Sequence, residues 1–246
     1  MQVLSSTPVF AMLIAGFVAG CAPVGGLVTS STAPRVFNLA GGNDFAGGSQ
    51  KSSQRLQKLQ IVVDEPTAVR ALNGDMVVVA MSSSEITSLA GASWSDRLPR
   101  LVQARMVTAL SANRTFKSVG ETDSKASADI TVSSDVRAFQ IEAIPGKDAA
   151  HVAINVRLIE DRTGKVIGTR LFDISRTVKE KSTEANITAL NGAFADVLSE
   201  MVDWSIVTLD PKRGPSKSKS VDQSPPQSKP ETTDRGLVSQ YEPPRQ

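Results

Sequence analysis

Five stretches of the chain carry apolar residues in the patterns of β-strands. They cover residues 59–63, 76–80, 130–141, 152–158 and 166–178. In the stretch 152–158, large apolar residues alternate with small or polar ones, which predicts an antiparallel strand with one buried face. The stretch 76–80, MVVVA, follows the turn signal NGD and does not alternate, which predicts a strand covered on both faces.

Irregularities in the same pattern predict a bulge and a hairpin. The apolar positions of the stretch 130–141 change register, so a β-bulge is expected near Ala138. The turn-forming residues 161–165, DRTGK, are expected to join the last two strands as a hairpin. Two shorter apolar groups, at residues 37–39 and 116–119, are candidates for additional short strands.

Two stretches show the spacing of amphipathic helices. The first, residues 95–110, has Ser95 as its expected N-cap and Pro99 within the first turn, where no helical hydrogen bond is lost. The second, residues 184–209, carries apolar residues on one side through Trp204. The resulting order, β-β-α-β-β-β-α, predicts a single α+β domain with a mostly antiparallel sheet and both helices packed on it.

The predicted domain spans residues 54–210, because both ends of the chain lack the pattern of a core. Residues 21–53 are rich in Gly, Ser, Thr and Ala, which predicts a flexible tether. Residues 211–246 are rich in Pro, Ser, Lys and Gln. They hold too few apolar side chains to offset the entropy lost on ordering, which predicts a disordered tail.

Residues 1–20 are predicted to be a lipoprotein signal peptide. Residues 9–20 are uncharged and shorter than the roughly 20 apolar residues of a membrane-spanning helix, but they fit the apolar segment of a secretory signal. The sequence VAGC that ends at Cys21 resembles the bacterial lipobox. That resemblance implies cleavage after Gly20 and lipid attachment to Cys21. An ordinary signal peptide followed by a chance cysteine is the alternative.

Composition restricts the chemistry further. The chain holds one cysteine, Cys21, and one histidine, His151. This inventory excludes a disulfide framework within the chain and a structural zinc site of about four Cys or His ligands. The net charge of +2 and the aromatic content of 4% give no basis for a nucleic-acid partner.

No motif of the sequence indicates catalysis, a cofactor or a metal. The chain has neither a P-loop nor a G-x-S-x-G motif. His151 could serve as a base, but no nucleophile or orienting carboxylate is recognisable beside it, so an ordinary strand histidine is the simpler interpretation. The acidic pairs at 64–65 and 160–161 fit solvated strand ends and turns.

The tryptophans and the arginines of the first helix are the remaining candidates for binding. Trp94 and Trp204 are expected to pack in the core rather than to anchor a partner. A solvated helix face explains the arginines better than a docking surface does. These arginines are Arg97, Arg100, Arg105 and Arg114.

Four features together resemble a known family. The lipobox is followed by the segment 37–39, FNL, and by a strand that ends near Pro66. Next comes the stretch 94–110, WSDRLPRLVQARMVTAL. A DITV strand at 129–132 then leads to the hairpin and to the segment 189–204, ALNGAFADVLSEMVDW. In this order and spacing the chain resembles the ABC-type transport auxiliary lipoproteins, which accompany Mce-type transporters and the paraquat-inducible system.

The resemblance implies a non-enzymatic subunit without a cofactor. Its partners would be a periplasmic Mce-domain protein and the permease and ATPase subunits of a system that moves phospholipid or other hydrophobic molecules across the envelope. In enterobacterial sorting an Asp after the lipidated cysteine holds a lipoprotein at the inner membrane; with Ala22 there instead, the chain resembles the default location, the outer membrane facing the periplasm. Self-association into a homo-oligomer stays open. Three alternatives also stay open: a lipoprotein that itself binds a small hydrophobic ligand, a structural cell-envelope lipoprotein, and an envelope enzyme that uses His151.

Overall fold

The part of the chain that the structure describes contains nine strands, two α-helices and two short 3-10 helices, Leu56–Lys58 and Arg70–Leu72. The structure is a computed structural model, and it describes residues 33–40, 53–112, 114–122, 127–143, 145 and 148–210. The elements are β1 Arg35–Phe37, β2 Gln60–Val63, β3 Thr67–Ala68, β4 Met76–Ala80, β5 Ile86–Trp94, α1 Leu98–Ser111, β6 Ser118–Glu121, β7 Ile130–Glu142, β8 Ala149–Glu160, β9 Lys165–Thr177 and α2 Thr183–Leu209. The predicted signal peptide, with Gly20 and Cys21, most of the predicted tether and the predicted tail 211–246 lie outside the described residues. None of the described helices combines the length and the apolar character that crossing a membrane requires.

The predicted α+β class is confirmed, with one sheet and two helices. Strands β7, β8 and β9 form an antiparallel meander whose pairings run along almost their whole lengths. The short strands β2, β3 and β4 follow one another along the other edge of β7 and run parallel to it. Strand β5 pairs antiparallel with β4, while β1 and β6 add short parallel pairings. The sheet is therefore mixed, with its long pairings antiparallel.

The structure adds β3 and β5 to the predicted order of elements. Strand β5 has the sequence ITSLAGASW and is exposed over most of its length, so it shows no apolar alternation. Gly91 has a φ of 69°, in the left-handed region that favours glycine, and it lies where the pairing of β4 with β5 shifts register. The candidate strands at 37–39 and 116–119 correspond to β1 and β6. Strand β1 begins two residues earlier than predicted, and β6 begins two residues later.

Three local predictions are confirmed. The pairing of β7 with β8 shifts register between Val136 and Ala138, where the bulge was expected. The hairpin joins β8 to β9, and Gly164 supplies the turn with a φ of 68°. The three valines of β4 are at most 8% exposed, so this strand is covered on both faces.

The two helices differ in whether a side chain caps their first turn. Ser95 is not the N-cap of α1, because the helix begins two residues later than predicted, and the backbone N–H of Ser95 instead donates to the carbonyl oxygen of Phe37 at 2.8 Å. The cap position is Arg97, whose side chain accepts no capping hydrogen bond. Helix α2 has a full N-cap: the hydroxyl of Ser182 accepts from the N–H of Ala185 at 3.1 Å.

Both helices pack on the same face of the sheet. The hydroxyl of Ser134 in β7 lies 3.8 Å from the sulfur of Met106 in α1. Further along β7, the ring of Phe139 meets the ring of Phe194 in α2, with centroids 5.5 Å apart, and it meets Trp94 at 5.9 Å. Trp94 is 2% exposed, so it packs in the core as predicted.

Candidate functional site

The face of the sheet opposite the helices is the candidate functional surface, and we call it the helix-free face. The pairing of β7, β8 and β9 brings together on it Gln140, Glu142, His151, Asn155, Arg157, Leu171, Asp173 and Ser175. Because side chains alternate along a strand, the extra residue of the bulge reverses which β7 positions face the helices. Val136 faces the helices before the bulge and Phe139 after it, so Glu142 lies on the helix-free face.

His151 is held between two carboxylates on the helix-free face. Its Nδ1 lies 2.7 Å from Oε1 of Glu142 in β7, and its Nε2 lies 2.8 Å from Oδ1 of Asp173 in β9. The neutral ring has only one N–H, so only the fully protonated ring donates to both carboxylates.

This geometry gives His151 a structural role across three strands. The histidine side chain is 21% exposed and Glu142 is 31% exposed, so the contact is partly shielded from water. Both ring nitrogens already face carboxylate oxygens, which leaves neither of them to take a proton from a nucleophile. The sequence interpretation of His151 as a possible base missed both carboxylates, because each lies on a neighbouring strand.

A shallow depression of 460 Å³ lies beside Glu142, where the turn between β4 and β5 meets the end of β7. We call it the β4–β5 depression. Its lining residues are Ala80, Met81, Ser82, Ser83, Ile86, Gln140, Glu142, Ala143 and Pro145. Met81 is 50% exposed and Ile86 is 51% exposed, which is high for large apolar side chains. The depression therefore combines exposed apolar surface with one carboxylate.

The segment 33–40 is fastened to the domain, although it lies outside the predicted domain boundary. Leu39 is fully buried, and its carbonyl oxygen accepts from Nε of Arg105 at 2.6 Å. The N–H of Ala40 donates to Oδ1 of Asn191 in α2 at 3.0 Å. Arg35 and Glu184 form an ion pair at the start of α2. Residues 33–40, which lie within the predicted tether, are thus part of the packed structure.

The structure does not gather the other predicted candidates into a site. Asp64 accepts from the hydroxyl of Thr122 at 2.6 Å, and Glu65 pairs with Arg97 at 2.6 Å. Asp161 accepts from the hydroxyl of Thr131 at 3.3 Å, close to the hairpin. These contacts stabilise loops and strand ends.

Arg97, Arg100 and Arg105 have individual contacts rather than a common surface, and Arg114 lies beyond the end of α1. Arg100 lies 3.7 Å from Asp96, and the guanidinium of Arg105 holds the segment 33–40. Trp204 is half-buried and contacts the ring of Phe172 with centroids 5.7 Å apart. Within the part of the chain that the structure describes, no group of three or more His, Cys, Asp or Glu side chains could hold a metal ion.

Sequence reasoning missed the residues of the β4–β5 depression. Met81 and Ile86 flank the turn between two strands, and β5 itself was not predicted. The only signal was the pair of large apolar residues on either side of the polar run SSSE at 82–85. That pattern alone does not distinguish a buried turn from an exposed one.

Comparison with known proteins gives a sequence relative and solved structures of the same fold. The Bradyrhizobium diazoefficiens protein bll6063, described as uncharacterized, is 27% identical over 149 residues. That match covers 61% of this chain but only 40% of the Bradyrhizobium protein. The crystal structure of XCC0632 from Xanthomonas campestris has a TM-score of 0.61 at 20% identity, covering 71% of this chain and 96% of that one.

A second solved structure shares this fold, and a family model gives the family. The crystal structure of an uncharacterized protein has a TM-score of 0.54 at 14% identity, covering 69% of this chain and 97% of that one. The family model described as the ABC-type transport auxiliary lipoprotein component matches residues 44–202, which is well over half of the chain. The chain therefore belongs to the ABC-type transport auxiliary lipoprotein family.

Proposed function

We propose that the protein is a lipid-anchored, non-enzymatic auxiliary subunit of an Mce-type ABC transport system. That system would move phospholipid or other hydrophobic molecules across the bacterial envelope. The observation that carries the proposal is the match of residues 44–202 to the auxiliary lipoprotein family. The partners would be the periplasmic Mce-domain protein and the permease and ATPase subunits.

The lipid anchor would be attached to Cys21 after cleavage behind Gly20. One acyl chain gives only marginal membrane binding, whereas the two chains of a diacylglyceryl cysteine anchor a protein stably. Arg35, the first residue of β1, lies 14 positions after Cys21. A fully extended chain of that length spans at most about 50 Å. The lipid would therefore keep the domain within about that distance of the membrane, which we propose is the outer membrane facing the periplasm.

The chemistry of the described residues favours a binding role over catalysis. The histidine engages a carboxylate at each ring nitrogen, at 2.7 and 2.8 Å. The sequence contains no P-loop, so the energy for transport would come from the ATPase partner. The contribution of this chain would be to hold other components in place at the membrane.

The anchor is tested by metabolic labelling with a fatty-acid analogue and by fractionation of the envelope. The wild-type protein should be labelled and found in the outer-membrane fraction. The Cys21→Ser variant should be unlabelled and should lose that location. An unlabelled wild-type protein, or an unchanged distribution of the variant, would refute the lipid anchor.

The transport role is tested by affinity purification from gently crosslinked envelopes. Recovery of the Mce-domain protein together with permease and ATPase subunits is expected from the wild type. The matched control is the Cys21→Ser protein, which should recover fewer of them. If the wild type brings down none of these subunits, the transport role is wrong. Lipid retained by the purified domain, detected by mass spectrometry, would instead favour a lipoprotein that itself binds a hydrophobic ligand.

A further inference from the structure

The β4–β5 depression leaves large apolar side chains in contact with solvent. Two large apolar side chains, Met81 and Ile86, expose about half of their surface there. Exposed apolar surface beside a concave site is typical of interaction sites, because its burial by a partner is favourable. The volume of 460 Å³ is enough for one or two side chains of a partner.

Carboxylates predominate among the described charged groups at the β4–β5 depression and beside it. Glu142 is the only charged side chain among its described lining residues. Glu85 lies in the adjoining turn, where its carbonyl oxygen accepts from the N–H of Met81 at 2.9 Å. Asp173 adds a further carboxylate on the other side of His151. A cationic group would be attracted to this site, and an anionic lipid headgroup would be repelled.

Glu142 is already positioned to receive such a cationic group. Its Oε1 is held by Nδ1 of His151 at 2.7 Å, and His151 is held in turn by Asp173 at 2.8 Å. Among the described residues, Oε2 of Glu142 has no recorded hydrogen-bond partner. A carboxylate fixed in this way loses little conformational entropy when it binds a cation, which increases the affinity of the contact.

We propose that the β4–β5 depression docks a protein partner through a basic side chain next to an apolar one. The lysine or arginine of the partner would bind Oε2 of Glu142, and the adjacent apolar side chain would cover Met81 and Ile86. Charge complementarity favours a protein segment of this kind over a membrane surface. The inference rests on the proposed function, because it assumes that the chain works by holding a protein partner, and it names the surface that does so.

A photo-crosslinking amino acid at position 81 of the full-length protein in cells tests the proposal. Met81 is replaced by the crosslinker, and the matched control carries it at Val166, which is 46% exposed and lies at the other end of the sheet. The expected result is an adduct from position 81 with a transporter subunit, at least fivefold more abundant than from position 166. Peptide mapping should place the crosslink beside a lysine or arginine with an apolar neighbour.

Charge variants then test the role of Glu142. Glu142→Gln keeps an oxygen for His151 but removes the charge, and it should reduce the adduct at least fivefold. Glu200→Gln, on α2, is the matched control and should leave the adduct unchanged. Circular dichroism and thermal melting of each variant establish that the fold is retained. In a second variant, Ile86→Ser should reduce the adduct without altering any charge.

Several outcomes would overturn the proposal. They are an adduct of the mass of two copies of this chain, an adduct with lipid, an equal yield from position 166, or a yield that Glu142→Gln leaves unchanged. Failure of this inference is distinct from failure of the proposed function. If affinity purification still recovers the transporter subunits while position 81 gives no adduct with them, only the docking surface is wrong.

Discussion

Replacing Phe139 with leucine is expected to destabilise the domain by about 2–4 kcal/mol. Phe139 is 1% exposed, and its ring meets Trp94 and Phe194 edge-on, with centroids 5.9 and 5.5 Å away. Each aromatic pair of this geometry contributes about 0.5–1.5 kcal/mol beyond its buried area. The smaller leucine side chain loses about 1 kcal/mol more in buried apolar surface.

The expected cost is large because Phe139 joins three elements. It lies on β7 directly after the bulge, and its two ring partners belong to β5 and α2. A leucine cannot contact both rings in the same geometry, and a close-packed core relaxes only partly around the space that is left. A loss of 2–4 kcal/mol is a large share of the roughly 5–15 kcal/mol that stabilises a typical domain.

Urea unfolding of the chain from residue 22 onward, followed by circular dichroism, measures this effect. The matched control is Phe116→Leu: Phe116 is 7% exposed, and no ring contact is recorded for it among the described residues. The control should cost only about 1 kcal/mol, because it loses buried area but no ring pair. Equal losses of unfolding free energy in the two variants, with unchanged denaturant slopes, would refute the reasoning from ring contacts.

Three further predictions concern the helices and the turns. Gly168→Ala should lower the free energy of unfolding by about 1–3 kcal/mol, because the new Cβ would lie 2.9 Å from Cγ2 of Thr208 and 3.1 Å from the ring of Trp204, so these α2 side chains must shift. Gly74→Ala should leave the free energy of unfolding unchanged, since no atom lies within 4 Å of the position that its Cβ would take. Ser182→Ala should cost about 1 kcal/mol through loss of the N-cap of α2. Desolvation raises the pKa of the Asp203 carboxyl, so Asp203→Asn should be at least as stable as the wild type at pH 7.

The same unfolding measurements check these three predictions. If Gly74→Ala lowers the free energy of unfolding as much as Gly168→Ala does, the close contact with α2 does not explain the loss. For Ser182, the Ser182→Asn variant should retain most of the stability, because asparagine also caps helices. For Asp203, the folded wild type binds the proton more tightly than the unfolded chain. The stability of the wild type relative to Asp203→Asn should therefore fall as pH rises from 3.8 through the raised pKa, and a difference between the two that does not change with pH would contradict this assignment.

The elements with a strong apolar period could be predicted from sequence. Strands β7 and β8 and both helices have clear spacing, because each buries one face against the same core. Even the bulge in β7 was visible, since an inserted residue changes the phase of the apolar positions. Strand β5 was not visible, because it is largely exposed and its pairing rather than its composition makes it a strand.

The sequence by itself determined the class of the fold, the bulge, the hairpin and the resemblance to the auxiliary lipoproteins, because each depends on local spacing. Only the tertiary structure decided the contact of His151 with Glu142 and Asp173, since these residues come from three strands whose register is set by pairing. It also brought Met81, from the turn after β4, beside Glu142 at the end of β7. Contacts between residues far apart in sequence follow from the packing of the whole sheet, and no local pattern specifies them.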